Sequence, residues 1–281
     1  MAMPQSVATD LVLYAGCMPA APFRDYVAAA AEAGFDAITM WPLIYRRAQS
    51  REGLTPATMR MIVDDAGLRI TDLDPVGDWL PAPPGDEAPP MFRSVWRRHQ
   101  FLECATALGI GHLTAVQLTP DPVRHEVAVE GFATLCDDAA EHGLHVQLEF
   151  MPFSGLSDLP SALRVLLDAD RPNSGLLLDV CHFVRSGGTP AQLAVLPPAL
   201  VRSVQLGDGA SAAPPDLRDE AMYHRQLPGD GEFGVTAVLA DLAARGVRCA
   251  VGPEVYRRGF SERAPTLVAA DLMDSTRRVL A

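Results

Sequence analysis

The sequence predicts an α/β fold built as a single (β/α)₈ TIM barrel over residues 1–281. Three observations carry that expectation. Short apolar runs alternate with amphipathic stretches to the end of the chain. Four of those stretches stop at a glycine, Gly34, Gly67, Gly143 or Gly246, that directly precedes the next apolar run, as a helix C-cap does. Acidic and amide residues recur at the ends of the last four runs, where a barrel carries its chemistry.

The first unit pairs strand 10–16, DLVLYAG, with helix 23–34. Strand 35–41, FDAITMW, precedes helix 55–67, in which Thr55 supplies the N-cap and Pro56 the first helical residue. Strand 68–74, LRITDLD, leads through the long loop PVGDWLPAPPGDEAPP to a helix over 91–108. Strand 110–118 is followed by helix 122–142, and strand 144–150, LHVQLEF, by helix 157–169. Strand 174–180, SGLLLDV, precedes the short helix 189–196. Strand 201–207, VRSVQLG, is separated by a long loop from helix 235–246, and strand 247–255 precedes the final helix, 262–280. The length alone also allows two smaller domains, but eight such units fit a closed barrel better than an open sheet. No strand is followed by GxGxxG, and the Pro-rich segment 81–90 reads as a loop at the barrel mouth.

Composition narrows the function. With 35 acids against 23 bases and a net charge of −12, the chain opposes a nucleic-acid backbone as partner. No run approaches the roughly eighteen apolar residues of a membrane span, and MAMPQSVATD lacks a signal peptide's basic and apolar regions, so a cytoplasmic protein is expected. Cys17, Cys104, Cys136, Cys181 and Cys249 are scattered and form no CxxC, which predicts core residues. Every base is Arg; the absence of Lys excludes Schiff-base chemistry and a P-loop.

Glu149 ends the fifth strand, Asp179 the sixth, Gln205 the seventh and Glu254 the eighth. Neighbouring strands lie about 4.8 Å apart, so these side chains can converge. Three carboxylates together repel unless a cation neutralises them, and an all-oxygen donor set suits Mn²⁺ or Mg²⁺ better than Zn²⁺. His182, three residues after Asp179, becomes a proton carrier beside such a metal. His99, His112, His125, His142 and His145 fall on helices or at strand starts and read as surface or structural residues. His224 and Arg225 lie late in the loop after strand seven, within reach of the active site. Arg225 reads either as a substrate anchor or as the ion-pair partner of Asp230 or Glu232.

The segments QLEF, GLLLDVCHFVRSGGTP, VQLGDG, HRQLPGDGEF and GPEV, in this order, resemble the xylose-isomerase-like TIM barrels described as sugar phosphate isomerases/epimerases; ITMWP and DLDPVGDWLP are similar too. The resemblance extends over nearly the whole chain. It implies one divalent metal, Mn²⁺ or Mg²⁺ with Co²⁺ or Zn²⁺ as alternatives, held by Glu149, Asp179, Gln205 and Glu254. Glu149, Glu254 and His182 would be catalytic, and Arg225, His224 and Trp41 would bind substrate. Gln205, where many members have His, and YHRQLPGDG are similar to the 3-dehydroshikimate dehydratase and inosose dehydratase branch.

Two reactions remain open, with motif breadth placing the isomerase or epimerase first and the hydro-lyase as its alternative. An isomerase or epimerase of carbohydrate metabolism would move a proton next to a carbonyl, with Glu149 and Glu254 on opposite faces of a sugar. A hydro-lyase would use His182 as base and expel a β-hydroxyl. A barrel without catalysis is a third possibility. The expected partner is a small polyhydroxylated or keto substrate, and the expected assembly, if any, is a homodimer or homotetramer.

Overall fold

Strands β1 (Ala8–Leu13), β2 (Ala37–Met40), β3 (Arg69–Val76), β4 (His112–Val116), β5 (His145–Glu149), β6 (Ser174–Asp179), β7 (Val201–Leu206) and β8 (Cys249–Pro253) close into a parallel barrel in chain order. The structure is a computed structural model and describes residues 6–80 and 96–281. The Pro-rich 81–90 segment and the first residues of the helix expected over 91–108 lie outside the described residues. Around the barrel run α1 (Phe23–Ala33), α2 (Pro42–Glu52), α3 (Pro56–Asp65), α4 (Arg98–Leu108), α5 (His125–Glu141) and α6 (Leu159–Ala169). They continue with α7 (Val180–Arg185), α8 (Pro190–Val195), α9 (Leu217–Tyr223), α10 (Val235–Ala244) and α11 (Pro265–Leu280). The expected (β/α)₈ barrel is thus the observed one.

Three helices were not foreseen. α2 is mostly polar and buries only Pro42, Ile44 and Ala48, so it shows little apolar periodicity. α7 begins directly at the strand end, with Asp179 as its N-cap, and leaves no loop to mark it. α9 is one short turn-rich helix within the long β7–α10 connection, capped by the Asp216 carboxylate. The helix anticipated over 91–108 starts, among the described residues, at Arg98, where Gln100 Oε1 accepts the Arg97 N–H at 2.8 Å.

The four cap glycines all have positive φ, between 71° and 87°, which L residues resist. Gly252 serves a different purpose: a Cβ there would run into the Val12 carbonyl, so glycine lets β8 lie against β1 and close the barrel. Leu148 and Phe150 pack outward into the core between strands and helices, as alternation along β5 requires. Fully burying each such side chain stabilises the fold by about 1.5–3 kcal/mol. All five cysteines are buried and unpaired. Among the described residues no helix is long and apolar enough to cross a membrane.

Candidate active site

Strand register sets Asp179 on β6 opposite Gln205 on β7, and Gln205 opposite Gly252 on β8, two residues before Glu254; Glu149 ends β5, whose Leu148 pairs with Leu176. Glu254 lies one residue beyond β8 and donates its N–H to the Leu206 carbonyl at 2.8 Å. Asp179 performs two tasks. Its Oδ1 accepts the His182 N–H at 3.0 Å, capping α7, and this fixes the three-residue spacing of DVCH. Among the described residues Glu149, Asp179 and His182 each offer a ligand atom, all within 4.8 Å of one another.

Arg225 reaches this cluster from the β7–α10 connection. A two-way backbone bridge joins Asp208 to Gln226, and the Arg225 N–H donates to the Tyr256 carbonyl at 3.2 Å. The buried Asp208 carboxylate then accepts the N–H groups of Gly209, Phe233 and Gly229 at 2.9, 2.9 and 3.0 Å. That clasp accounts for the glycines of LGDG and PGDGEF: a Cβ on Gly231 would collide with Asp208 and Gly209. The guanidinium so placed donates from Nη1 to Asp179 Oδ2 at 2.7 Å and lies 3.6 Å from Glu254 Oε2. Its Nη2 is 3.2 Å from His182 Nε2.

These contacts exclude the ion pair that was one reading of Arg225, and place His224 outside the cavity lining. Arg225 pairs with neither Asp230, which is held by Arg278 at 2.6 Å, nor Glu232, which accepts from Ser211. The loop clasp turns it inward instead. His224, expected beside the substrate, closes α9 with its ring half-exposed and 3.0 Å from Asp219; it is not among the residues lining the cavity. Trp41 does line the cavity, donating Nε1–H to Asp74 Oδ2 at 2.8 Å.

The cavity above the cluster measures about 260 Å³. Asp74, Phe153, Arg218 and Tyr256 line it and were not singled out from sequence. Asp74 carried a signal, an acid closing the apolar run of β3, like Glu149 on β5. Tyr256 follows Glu254 by two residues and donates its hydroxyl to Glu254 Oε1 at 3.3 Å. Arg218 sits on the unforeseen α9 and Phe153 in an irregular loop, so neither had a strand position to mark it.

Burial, and then the charges of Glu254 and Asp179, push the Glu149 carboxyl well above the usual range. Burial likewise lifts Glu254 to about 7 against the pull of Arg225. Burial alone would raise Asp179, but Arg225, His182 and the capping N–H together hold it below its ordinary value. His182 is pushed down to about 4, chiefly by burial, so its imidazole is neutral. Because a guanidinium only donates, His182 Nε2 accepts from Arg225 and the ring proton resides on Nδ1.

The donors fit a divalent cation. Gln205 Oε1 is buried and has no hydrogen-bond partner among the described residues, and no hydrogen bond to the Glu149 carboxylate is present among them either. An orphaned amide oxygen beside three buried carboxylates, two of which share the single charge of Arg225, leaves negative charge unbalanced. Glu149, Asp179, Gln205 and Glu254 are the side chains whose oxygens could hold such an ion.

Comparison with known proteins agrees with this architecture. The sequence pattern of the family described as xylose isomerase-like TIM barrel matches residues 27–279. A 3-dehydroshikimate dehydratase of Pseudomonas aeruginosa is 27% identical over 99% of this chain and 41% of its own length. One from Pseudomonas putida is 25% identical over 94% of this chain and 39% of its own length. The chain therefore spans about two fifths of the length of the curated relatives it matches. Among solved structures, the IolI protein with a bound zinc atom superposes with a TM-score of 0.84 at 18% identity, covering 97% of this chain and 98% of that one.

Proposed function

Because the chain belongs to the xylose isomerase-like TIM barrel family, we propose that it is a divalent-metal-dependent enzyme that removes a proton next to a carbonyl, and that the reaction is the loss of water from a small polyhydroxylated keto compound. The observation that supports the reading best is the placement of His182 at the cavity floor, its Nε2 lying 3.6 Å from Glu149 Oε1 and 3.2 Å from the buried Arg225 guanidinium. The relatives named 3-dehydroshikimate dehydratase, aligned over nearly all of this chain, point the same way.

A cation held by Glu149, Asp179, Gln205 and Glu254 would supply Lewis acidity that polarises the substrate carbonyl. His182 Nε2, released as the Arg225 Nη2 turns from it to the substrate oxygen, accepts the proton from the carbon next to that carbonyl as the C–H bond breaks. Its imidazolium then returns the proton to the departing β-hydroxyl, so one C–O bond breaks and water leaves. Arg225, fixed by Asp179 and the Glu254 carbonyl, stabilises negative charge developing on the substrate oxygen. Trp41 and Tyr256, 5.9 Å apart, form an apolar wall that excludes water.

The isomerase or epimerase reading rests on Glu149 and Glu254, two raised carboxyls able to act on opposite faces. It ranks second because Glu254 is engaged by Tyr256 and lies beside Arg225. Incubation of the Mn²⁺-supplemented protein with 3-dehydroshikimate, 2-keto-inositol and common ketoses in deuterated buffer distinguishes the two. The expected outcome is a product lighter by one water; deuterium uptake without water loss would replace the lyase with an isomerase.

A further inference from the structure

The cavity holds a second cation that the proton-transfer groups do not engage. Arg218, on α9, places its guanidinium 5.3 Å over the Phe153 ring, and that ring meets His182 edge-on at 5.5 Å between centroids. Its side chain makes one long hydrogen bond, Nη2 to the Leu118 carbonyl at 3.4 Å, and has no carboxylate partner among the described residues. Neighbouring arginines differ. Arg185 grips Glu220 through two short bonds, Arg225 grips Asp179, and Arg258 lies 3.7 Å from Asp219.

The acids flanking Arg218 are committed elsewhere. Asp216 Oδ1 accepts the N–H groups of Arg218 and Asp219 at 2.9 Å each. Asp219 faces His224 and Arg258, and Glu220 is held by Arg185. Those same contacts pin α9, and Arg225 Nε donates to the Ala221 carbonyl at 3.1 Å, so Arg218 stands on a braced platform. A guanidinium with spare donors, backed by an aromatic face and opening into a cavity, is built for a planar anion.

We propose that Arg218 binds a carboxylate on the substrate, one aromatic ring's breadth from His182, which makes the substrate a compact keto acid bearing hydroxyls instead of a neutral sugar. The assignment rests on the reading of this cavity as the active site and deepens it by naming the substrate class.

Isothermal titration of the Mn²⁺-supplemented protein with shikimate, a cyclic polyol acid, and with its methyl ester tests the assignment without requiring turnover. The wild-type protein is expected to prefer the acid by about 10- to 100-fold, the range of a charge-assisted hydrogen-bonded pair. Arg218→Gln is expected to erase the preference and leave the ester unchanged, whereas Arg218→Lys restores part of it. Equal affinity for acid and ester in the wild type, no detectable binding of the acid, or an equal loss of both in Arg218→Gln would each overturn it. The hydro-lyase reading fails separately. An acid preference that depends on Arg218 with no water lost from 3-dehydroshikimate leaves this assignment standing, and water loss with an unchanged KM in Arg218→Gln does the reverse.

Discussion

Strand β5 carries two inward polar residues, Gln147 and Glu149, in adjacent layers of the same barrel, and the two are treated oppositely. Gln147 is saturated: its Nε2 donates to Asp72 Oδ1 at 2.5 Å and Thr114 Oγ1 at 3.0 Å, and its Oε1 accepts from Ser203 at 2.7 Å. Glu149, two residues on and also buried, accepts no hydrogen bond among the described residues and faces two further carboxylates. The lower layer settles its polarity with protein groups alone and so serves the fold. The upper layer leaves its charge open to something from outside, and so serves chemistry.

Substituting the upper member should produce the largest effect. Glu149→Gln keeps the shape and removes one charge, so turnover should fall by about 10³-fold or more, roughly 4 kcal/mol of barrier. The metal-free variant should melt no lower than the wild type, because a like-charge repulsion has been relieved. Saturating Mn²⁺ should raise the wild-type melting temperature and not that of the variant. If Glu149→Gln unfolds the metal-free protein, the residue is structural and the contrast collapses.

The lower member should behave in reverse. Gln147→Ala strips partners from Asp72, Thr114 and Ser203 and opens a void in a close-packed interior, which should cost about 2–4 kcal/mol. Urea denaturation measures this directly, and a loss below about 0.5 kcal/mol would show that the lower network is not what holds that layer together.

The contrast was only partly legible in the sequence. An acid ending the apolar run HVQLEF announced Glu149, and the recurrence at Asp179, Gln205 and Glu254 announced a shared level, because β periodicity and strand order are written locally. Asp179 as the cap of α7 lay hidden in DVCH, since capping and strand-end positions coincide there. The partner of Arg225 could not be read at all: Asp179 is 46 residues away, and only the Asp208 clasp decides which way the arginine turns. Asp72, Thr114 and Ser203 were equally illegible, for their common partner sits on a different strand in each case. Arg218 required α9, a seven-residue helix whose cap and anchors are all side-chain contacts.

The smallest effect concerns Asp72, an acid inside the lower layer. Burial raises the Asp72 carboxyl above its ordinary value, with His112, its register neighbour, and a hydrogen bond from Thr71 opposing. A carboxyl whose folded pKa exceeds its unfolded one contributes stability that is fully present below the unfolded pKa, about 3.9. That contribution is lost as pH rises through the folded value. Asp72→Asn carries no such charge at any pH and can still accept from Gln147, so wild type and variant should be closest in stability under acid conditions. Toward neutrality the variant should become the more stable of the two. Parallel stability curves from denaturation at a series of pH values, or a wild type that gains on the variant as pH rises, would mean that the lower layer accommodates an ionised Asp72 without strain. The division between a closed layer and an open one would then rest on hydrogen bonding alone and not on charge.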